Sequence, residues 1–208
     1  MSIATLAELK TQIINTAHRD DLTGYVDNLI LLGERYLFRK CRTPEMETTG
    51  YSDTMSSGTV SVPSGFLGWK WVQVSGTPTR YLKVRPANWI MEQYPLRSST
   101  QKPFFIGRDG SSFIFGPYPD SDYTILGTYY ARPTTVLASP NSFFLANPDA
   151  YLFAALGEVN AFVKNVEELP FWQAKRDQIV HDINTEHEDA QMDGSLRMTP
   201  DFQASYNA

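Results

Sequence analysis

The stretch FFIGRDGSSFIFGPYP, residues 104–119, decides how the middle of the chain is read. Two apolar runs flank Asp109-Gly110. Asp-Gly between such runs is a hairpin signal, because glycine takes the positive φ that a tight turn demands. The Gly116-Pro117-Tyr118-Pro119 turn then ends the second strand. Working outward, further strands are expected at 59–62, 69–74, 79–84 and 123–131. WKWVQV (69–74) and RYLKV (80–84) alternate or are β-branched, as half-buried strands are. Pro63-Ser64-Gly65 and Ser75-Gly76-Thr77-Pro78 separate them. Residues 86–94 read as a short helix with proline in its first turn. Residues 43–58, rich in Ser, Thr and Gly, lack an apolar period and read as an extended or mobile loop.

Helical patterns lie on both sides of this region. Ile3, Leu6, Leu9, Ile13 and Ala17 share a stripe, and Thr5 with Glu8 fits a capping box. A second helix, capped by Asp21 or Thr23, runs to Lys40. It is apolar over more than one face and reads as the central, most buried helix. Asn147-Pro148-Asp149 opens a third helix with Leu152, Ala155, Leu156, Val159, Phe162, Val163 and Val166 as its stripe. A fourth, over 169–189, turns Phe171, Trp172, Ile179 and Ile183 inward. The fold class is therefore α+β: a helical bundle from both chain ends, with a β-rich antiparallel insertion and an extended C-terminal arm. Residues 1–191 form one domain, with helices over 4–40 and 148–189 and the insertion over 58–132. Residues 192–208 are the arm.

The 208 residues suffice for a core without covalent staples. One cysteine, Cys41, excludes an intramolecular disulfide. No signal peptide and no bilayer-length apolar run is seen, so a soluble protein made in a reducing cytoplasm is expected. Net charge is −5, with three basic against nine acidic residues over 141–191. A protein whose main ligand is nucleic acid would show a dense basic face, which is missing.

Chemistry-bearing residues are few, and each has a plainer reading that is preferred. Signatures for nucleotide binding, hydrolase nucleophiles and zinc proteases are absent. His181 and His187 are six apart, on different helix faces; with Asp182, Glu186, Glu188 and Asp189 they read as a solvated acidic face, and His18 stands alone. Cys41 lies among Arg39, Lys40 and Arg42, which favour a thiolate, but no base is placed beside it. Asp120 and Asp122 read as turn chemistry, and Glu167-Glu168 as helix-dipole partners. Trp69-Lys70-Trp71, Arg80-Tyr81 and residues 129–132 interleave aromatic and basic groups. That pattern suits a base-stacking platform, but also plain alternation across a strand. Trp89 and Phe202 are of the type that anchors protein interfaces. No catalytic, metal or cofactor site is expected.

The order of motifs in the second half resembles a known family. The hairpin ends in Gly-Pro-x-Pro (116–119). Leu-x-x-Tyr-Tyr-x-Arg-Pro (126–133) follows, then Asn-Pro-Asp-Ala-Tyr-Leu-Phe-Ala-Ala-Leu (147–156) and Phe-Trp-x-x-Lys-Arg-Asp (171–177). The pattern is similar to that of head–tail adaptor (connector) proteins of tailed, mostly short-tailed, bacteriophages. The resemblance implies a structural virion protein at the head–tail interface. It implies a homo-oligomeric ring, commonly a dodecamer, beneath the portal protein, joined below to tail nozzle or tail fibre proteins. Genomic DNA would pass through the channel without specific binding, no membrane would be involved, and the C-terminal arm would contact the portal or the tail. Leu196, Met198, Phe202 and Tyr206 are the arm residues expected at that interface. The alternatives are a virion-associated peptidoglycan hydrolase, with Glu34 or Glu92 as carboxyl candidates, and a single-stranded nucleic-acid-binding module on the aromatic strands.

Overall fold

Thr5 and Glu8 start the first helix as a reciprocal cap. The Glu8 N–H donates to Thr5 Oγ1 (3.2 Å), and the Thr5 N–H donates to Glu8 Oε2 (2.9 Å). Donors that the helix leaves free at its start are thereby satisfied. The N–H groups of Ala4 and Thr5 also hold the Glu8 carboxyl below its ordinary pKa. The computed structural model describes residues 3–96, 98 and 100–191. The chain divides into two compact units, one of Met1–Glu45 with Thr134–Ala208 and the other of Met46–Pro133.

The first unit is helical: α1 (Leu6–Ala17), α2 (Val26–Lys40), α4 (Ser142–Ala146), α5 (Pro148–Phe162) and α6 (Leu169–Gln191). The hub is α5 rather than α2, since α5 packs on α1, α2, α4 and α6. Small residues explain why. Ala150, Ala154, Ala155 and Gly157 keep α5 slim, so neighbours approach closely on several sides. Gly33 of α2 lies against it: a Cβ there would come within 2.9 Å of the Ala154 carbonyl carbon. By contrast α2 leaves Leu32 45% exposed.

Three helix readings are corrected. Neither Asp21 nor Thr23 caps α2: residues Asp20–Gly24 form a 3-10 turn, Asp21 pairs with Arg19, and Thr23 bonds back to the Asp20 carbonyl. The stripe of α5 ends early. The helix stops at Phe162, Lys164 takes a left-handed φ of 57°, and Val166 is 75% exposed beyond it. On α6, Phe171 is exposed, while Trp172, Ile179 and Ile183 are half-buried and Val180 is buried. Trp172 stacks on Phe153 of α5 at 6.0 Å. Polar contacts complete the docking of α6: Tyr36 Oη donates to Asp177 (2.6 Å), and the Arg176 guanidinium lies 3.7 Å over the Tyr36 ring.

Among the described residues the second unit holds eight strands and α3 (Ala87–Gln93). One sheet has the order β1-β8-β3-β4 and the other β2-β7-β6-β5. The ranges are β1 Glu47–Thr54, β2 Thr59–Ser61, β3 Phe66–Val74, β4 Arg80–Tyr81, β5 Lys83–Val84, β6 Phe105–Asp109, β7 Ser112–Gly116 and β8 Thr124–Ala131. The expected hairpin is β6–β7, closed by the Asp109–Ser112 pair with Gly110 at φ 58°. The run 79–84 is not one strand. It breaks at Leu82, whose N–H bonds Val72 in one sheet, while the Lys83 N–H bonds Phe104 in the other. β5 consequently runs parallel to β6, whereas the other pairings between these strands are antiparallel. The Ser56–Thr59 bridge joins β1 to β2. The two sheets are thus linked by the chain at Leu82 and by the Ser56–Thr59 bridge.

The presumed loop 43–58 contains a correction: β1 pairs with β8 through most of it. The strand is polar, and a register shift between Thr48 and Tyr51 with Gly50 at φ 70° interrupts its alternation. Residues of both sheets share one core: Val60, Val72, Val74, Ile106, Phe113, Phe115 and Ile125 are buried, with Tyr51, Phe66 and Trp69 packed on them.

Candidate functional site

The most organised polar cluster lies in the helical unit. Glu34 projects from the apolar stripe of α2, between Ile30 and Phe38, and is 3% exposed. Its Oε1 accepts from the Val136 N–H (2.8 Å) and from Tyr151 Oη (3.1 Å). Asn141 completes the group. Its Nδ2 donates to Tyr151 Oη (3.1 Å) and to the Thr134 carbonyl (2.7 Å), and its Oδ1 accepts the Phe144 N–H (2.8 Å) as the cap of α4. Burial drives the Tyr151 hydroxyl pKa far upward, with the Glu34 carboxyl adding to the rise. Every oxygen and nitrogen named here is spent on holding 134–151 against α2. A peptidoglycan hydrolase needs a carboxyl that faces substrate. Glu34 faces protein, and Glu92 is an exposed residue of α3 in the other unit. The cluster was missed in the sequence. The one local signal was a lone glutamate three and four residues from Leu37, Phe38 and Ile30 on an apolar stripe.

The other chemistry-bearing residues are dispersed. His18 ends α1 in a left-handed conformation, and His181 is exposed on α6. Cys41 is fully buried, and burial pushes its thiol up to about 11, outweighing the opposite pull of Arg42. The Arg42 guanidinium instead caps α2, donating to the Phe38 and Cys41 carbonyls. Asp120 accepts from Tyr123 Oη (2.8 Å), a side-chain bond across the turn. Glu168 precedes α6 and accepts from Trp172 Nε1 (3.3 Å). Among the described residues, no group of three His, Cys, Asp or Glu side chains is placed to hold a metal ion. Leu196, Met198, Phe202 and Tyr206 lie outside the described residues.

The interleaved aromatic stretches resolve into strand alternation, with one exception. Trp69 and Tyr129 pack inward with Phe66 and Phe113, while Lys70 points out to Glu47 (2.7 Å). Arg80 stacks on Phe104, 3.9 Å from the ring centroid. Trp71 and Tyr81 remain on the surface, 6.4 Å apart. In the helical unit a groove of about 730 Å³ is lined by Leu156, Val159, Val163, Phe171 and Trp172, with His18, Arg19 and Glu168 among its polar residues.

Buried polar groups here brace the fold, and large apolar side chains, Tyr81, Leu96 and Phe171 among them, are left on the surface. The chain belongs to the SU10 adaptor protein family, whose model matches residues 4–199. A search of curated proteins gave no match. Membership bears out the resemblance carried by the 116–133 and 147–177 motifs, and it assigns the chain the structural role of a bacteriophage adaptor, a component of the virion. No helix of the described residues is long and apolar enough to cross a membrane.

Proposed function

We propose that the chain assembles as a ring, a dodecamer, beneath the portal protein, where it joins the capsid vertex to the tail and extends the DNA channel. The observation that carries this reading is the adaptor-family match over residues 4–199, nearly the whole chain. Residues 1–191 act as one adaptor domain, and residues 192–208 act as the arm that reaches the portal or the tail. Leu196, Met198, Phe202 and Tyr206 supply its apolar contacts, whose burial offsets the entropic cost of ordering the arm on docking. Tail nozzle or tail fibre proteins bind below. The acidic balance of the chain lets genomic DNA slide past without specific binding.

Negative-stain imaging with mass determination, on the protein alone and mixed with its cognate portal, tests the reading. Rings, alone or on the portal, are the expected result. A monomer that ignores the portal overturns it. Deleting residues 194–208 should abolish portal binding while the domain still folds; undiminished binding removes the role of the arm.

A further inference from the structure

Two surface features differ in form and in the charge of the unit that carries them. On the β unit, Trp71 of β3 and Tyr81 of β4 stand together on an outward face. Their rings are close to perpendicular (70°), and they are 40% and 70% exposed. Lys83, two residues on, is exposed and makes no ion pair among the described residues. On the helical unit the 730 Å³ groove is walled by Phe171 and Trp172, and Phe171 is 62% exposed. Glu168 lines it and Glu167 precedes it, both exposed. Residues 46–133 carry eight basic and six acidic side chains. Residues 1–45 and 134–208 carry ten basic and seventeen acidic ones.

We propose that the Trp71–Tyr81 pair of one copy seats in the Phe171–Trp172 groove of a second copy, with Lys83 brought to Glu167 and Glu168. This rests on the ring reading and names the surfaces that build it. Three arguments select a second copy as the occupant. The groove has room for two aromatic side chains, roughly 200 Å³ each on ordinary packing densities. The charges beside the two features are opposite, Lys83 at the aromatic pair against Glu167 and Glu168 at the groove, whose Arg19 is already paired with Asp21, and this registers the contact. They are also different patches on one chain, so each docking leaves a free aromatic pair at one end and a free groove at the other. A contact of that heterologous kind propagates from copy to copy, as the interfaces of a cyclic ring must, whereas a two-fold dimer needs the same patch on both sides.

Full-length protein tests this by sedimentation at low and high salt, alone and with portal, with thermal melting to show that each variant is folded. Trp71→Ala and Phe171→Ser, at exposed rings, should each weaken self-association by about thirtyfold, the effect of losing an aromatic anchor. Lys83→Glu alone, and Glu167→Lys with Glu168→Lys alone, should weaken it at low salt. An equimolar mixture of these two charge variants should restore it, because acidic faces then meet basic ones in alternation. If wild type assembles and the variants assemble equally well, the contact lies elsewhere and the ring reading survives. If Phe171→Ser reduces portal binding but not self-association, the groove serves another protein and the proposal fails. If wild type forms no assembly alone or on the portal, both readings fall.

Discussion

Tyr151 of α5 donates its hydroxyl to Glu34 of α2 across 3.1 Å, with both side chains almost fully removed from solvent. The bond ties two helices of the unit and, through Asn141 and Val136, the connection that precedes α4. Its weight comes from what removal leaves behind, since a buried donor or acceptor without a partner forfeits its solvation. Tyr151→Phe deletes one donor and should cost about 1–3 kcal/mol. Glu34→Ala strands the Val136 N–H, leaves the Tyr151 hydroxyl to its longer bond with Asn141 Oδ1 (3.4 Å) and opens a cavity, so it should cost more, about 3 kcal/mol or above. Glu34→Gln keeps an acceptor and should fall between. Urea unfolding of the three variants gives the order. A Glu34→Ala loss below about 1 kcal/mol would show that the cluster does not brace the fold.

Cys41 makes the chain alkali-sensitive in a defined window. Its thiol titrates at about 11 in the folded protein, against an ordinary value near 9, because burial disfavours the thiolate. Between those values the unfolded chain has released the proton and the folded chain has kept it. Fewer protons are bound in the unfolded state, so stability falls as pH rises from 9 to 11 and is fully present below 9. Burial of the Tyr151 hydroxyl acts in the same direction above pH 10. Cys41→Ala should flatten the 9–11 part of the stability profile while lowering stability modestly at neutral pH. At pH 8 the native thiol should resist disulfide reagents until the protein is unfolded. Rapid native labelling would contradict the burial.

Gly33→Ala sets two magnitudes against each other. Replacing glycine inside a helix gains about 1 kcal/mol of propensity. The new Cβ, however, lies 2.9 Å from the Ala154 carbonyl carbon and 3.0 Å from the Ala155 nitrogen, which are backbone atoms of the hub helix. Overpacking of that kind costs about 1–3 kcal/mol, so the net effect is destabilising. Gly24→Ala is the control, since a Cβ there meets nothing within 4 Å. Thermal melts should show a lower midpoint for the first and little change for the second. A stabilised Gly33→Ala would mean that α2 and α5 move apart without cost.

What could be read in the sequence was whatever is written locally. The Thr5–Glu8 cap spans three residues, and the Asp109-Gly110 hairpin pairs strands a turn apart, so both were legible. β1 was not. Its partner β8 is far along the chain, its residues are polar, and the shift at Thr48–Tyr51 breaks the alternation by which a strand is recognised. α4 has only five residues and shows no period, although Asn141 caps it. Glu34 was noticed for its apolar neighbours, but its donors lie 102 and 117 residues away, and no local pattern announces them. Surface contacts follow the same logic. The Trp71–Tyr81 pair is visible only once β3 and β4 are aligned.

The side-chain amide of Asn184 ties the C-terminal half of α6 to the end of α2. Asn184 Oδ1 accepts the Arg42 N–H (3.3 Å), and its Nδ2 donates to the Lys40 carbonyl (3.1 Å). The Lys40 carbonyl is one of the acceptors that the end of a helix leaves without a partner, so the side chain does the work of a cap from another element. Asn184→Leu keeps the bulk and removes both bonds. The expected loss is about 1–2 kcal/mol. Its distribution is the sharper readout. Hydrogen exchange should accelerate at Arg42 and along α6 beyond Ile183, while α6 near Trp172, anchored by the Phe153 stack, and α1 should keep their protection. A uniform rise across all helices would mean that α6 opens with the whole unit rather than from this end.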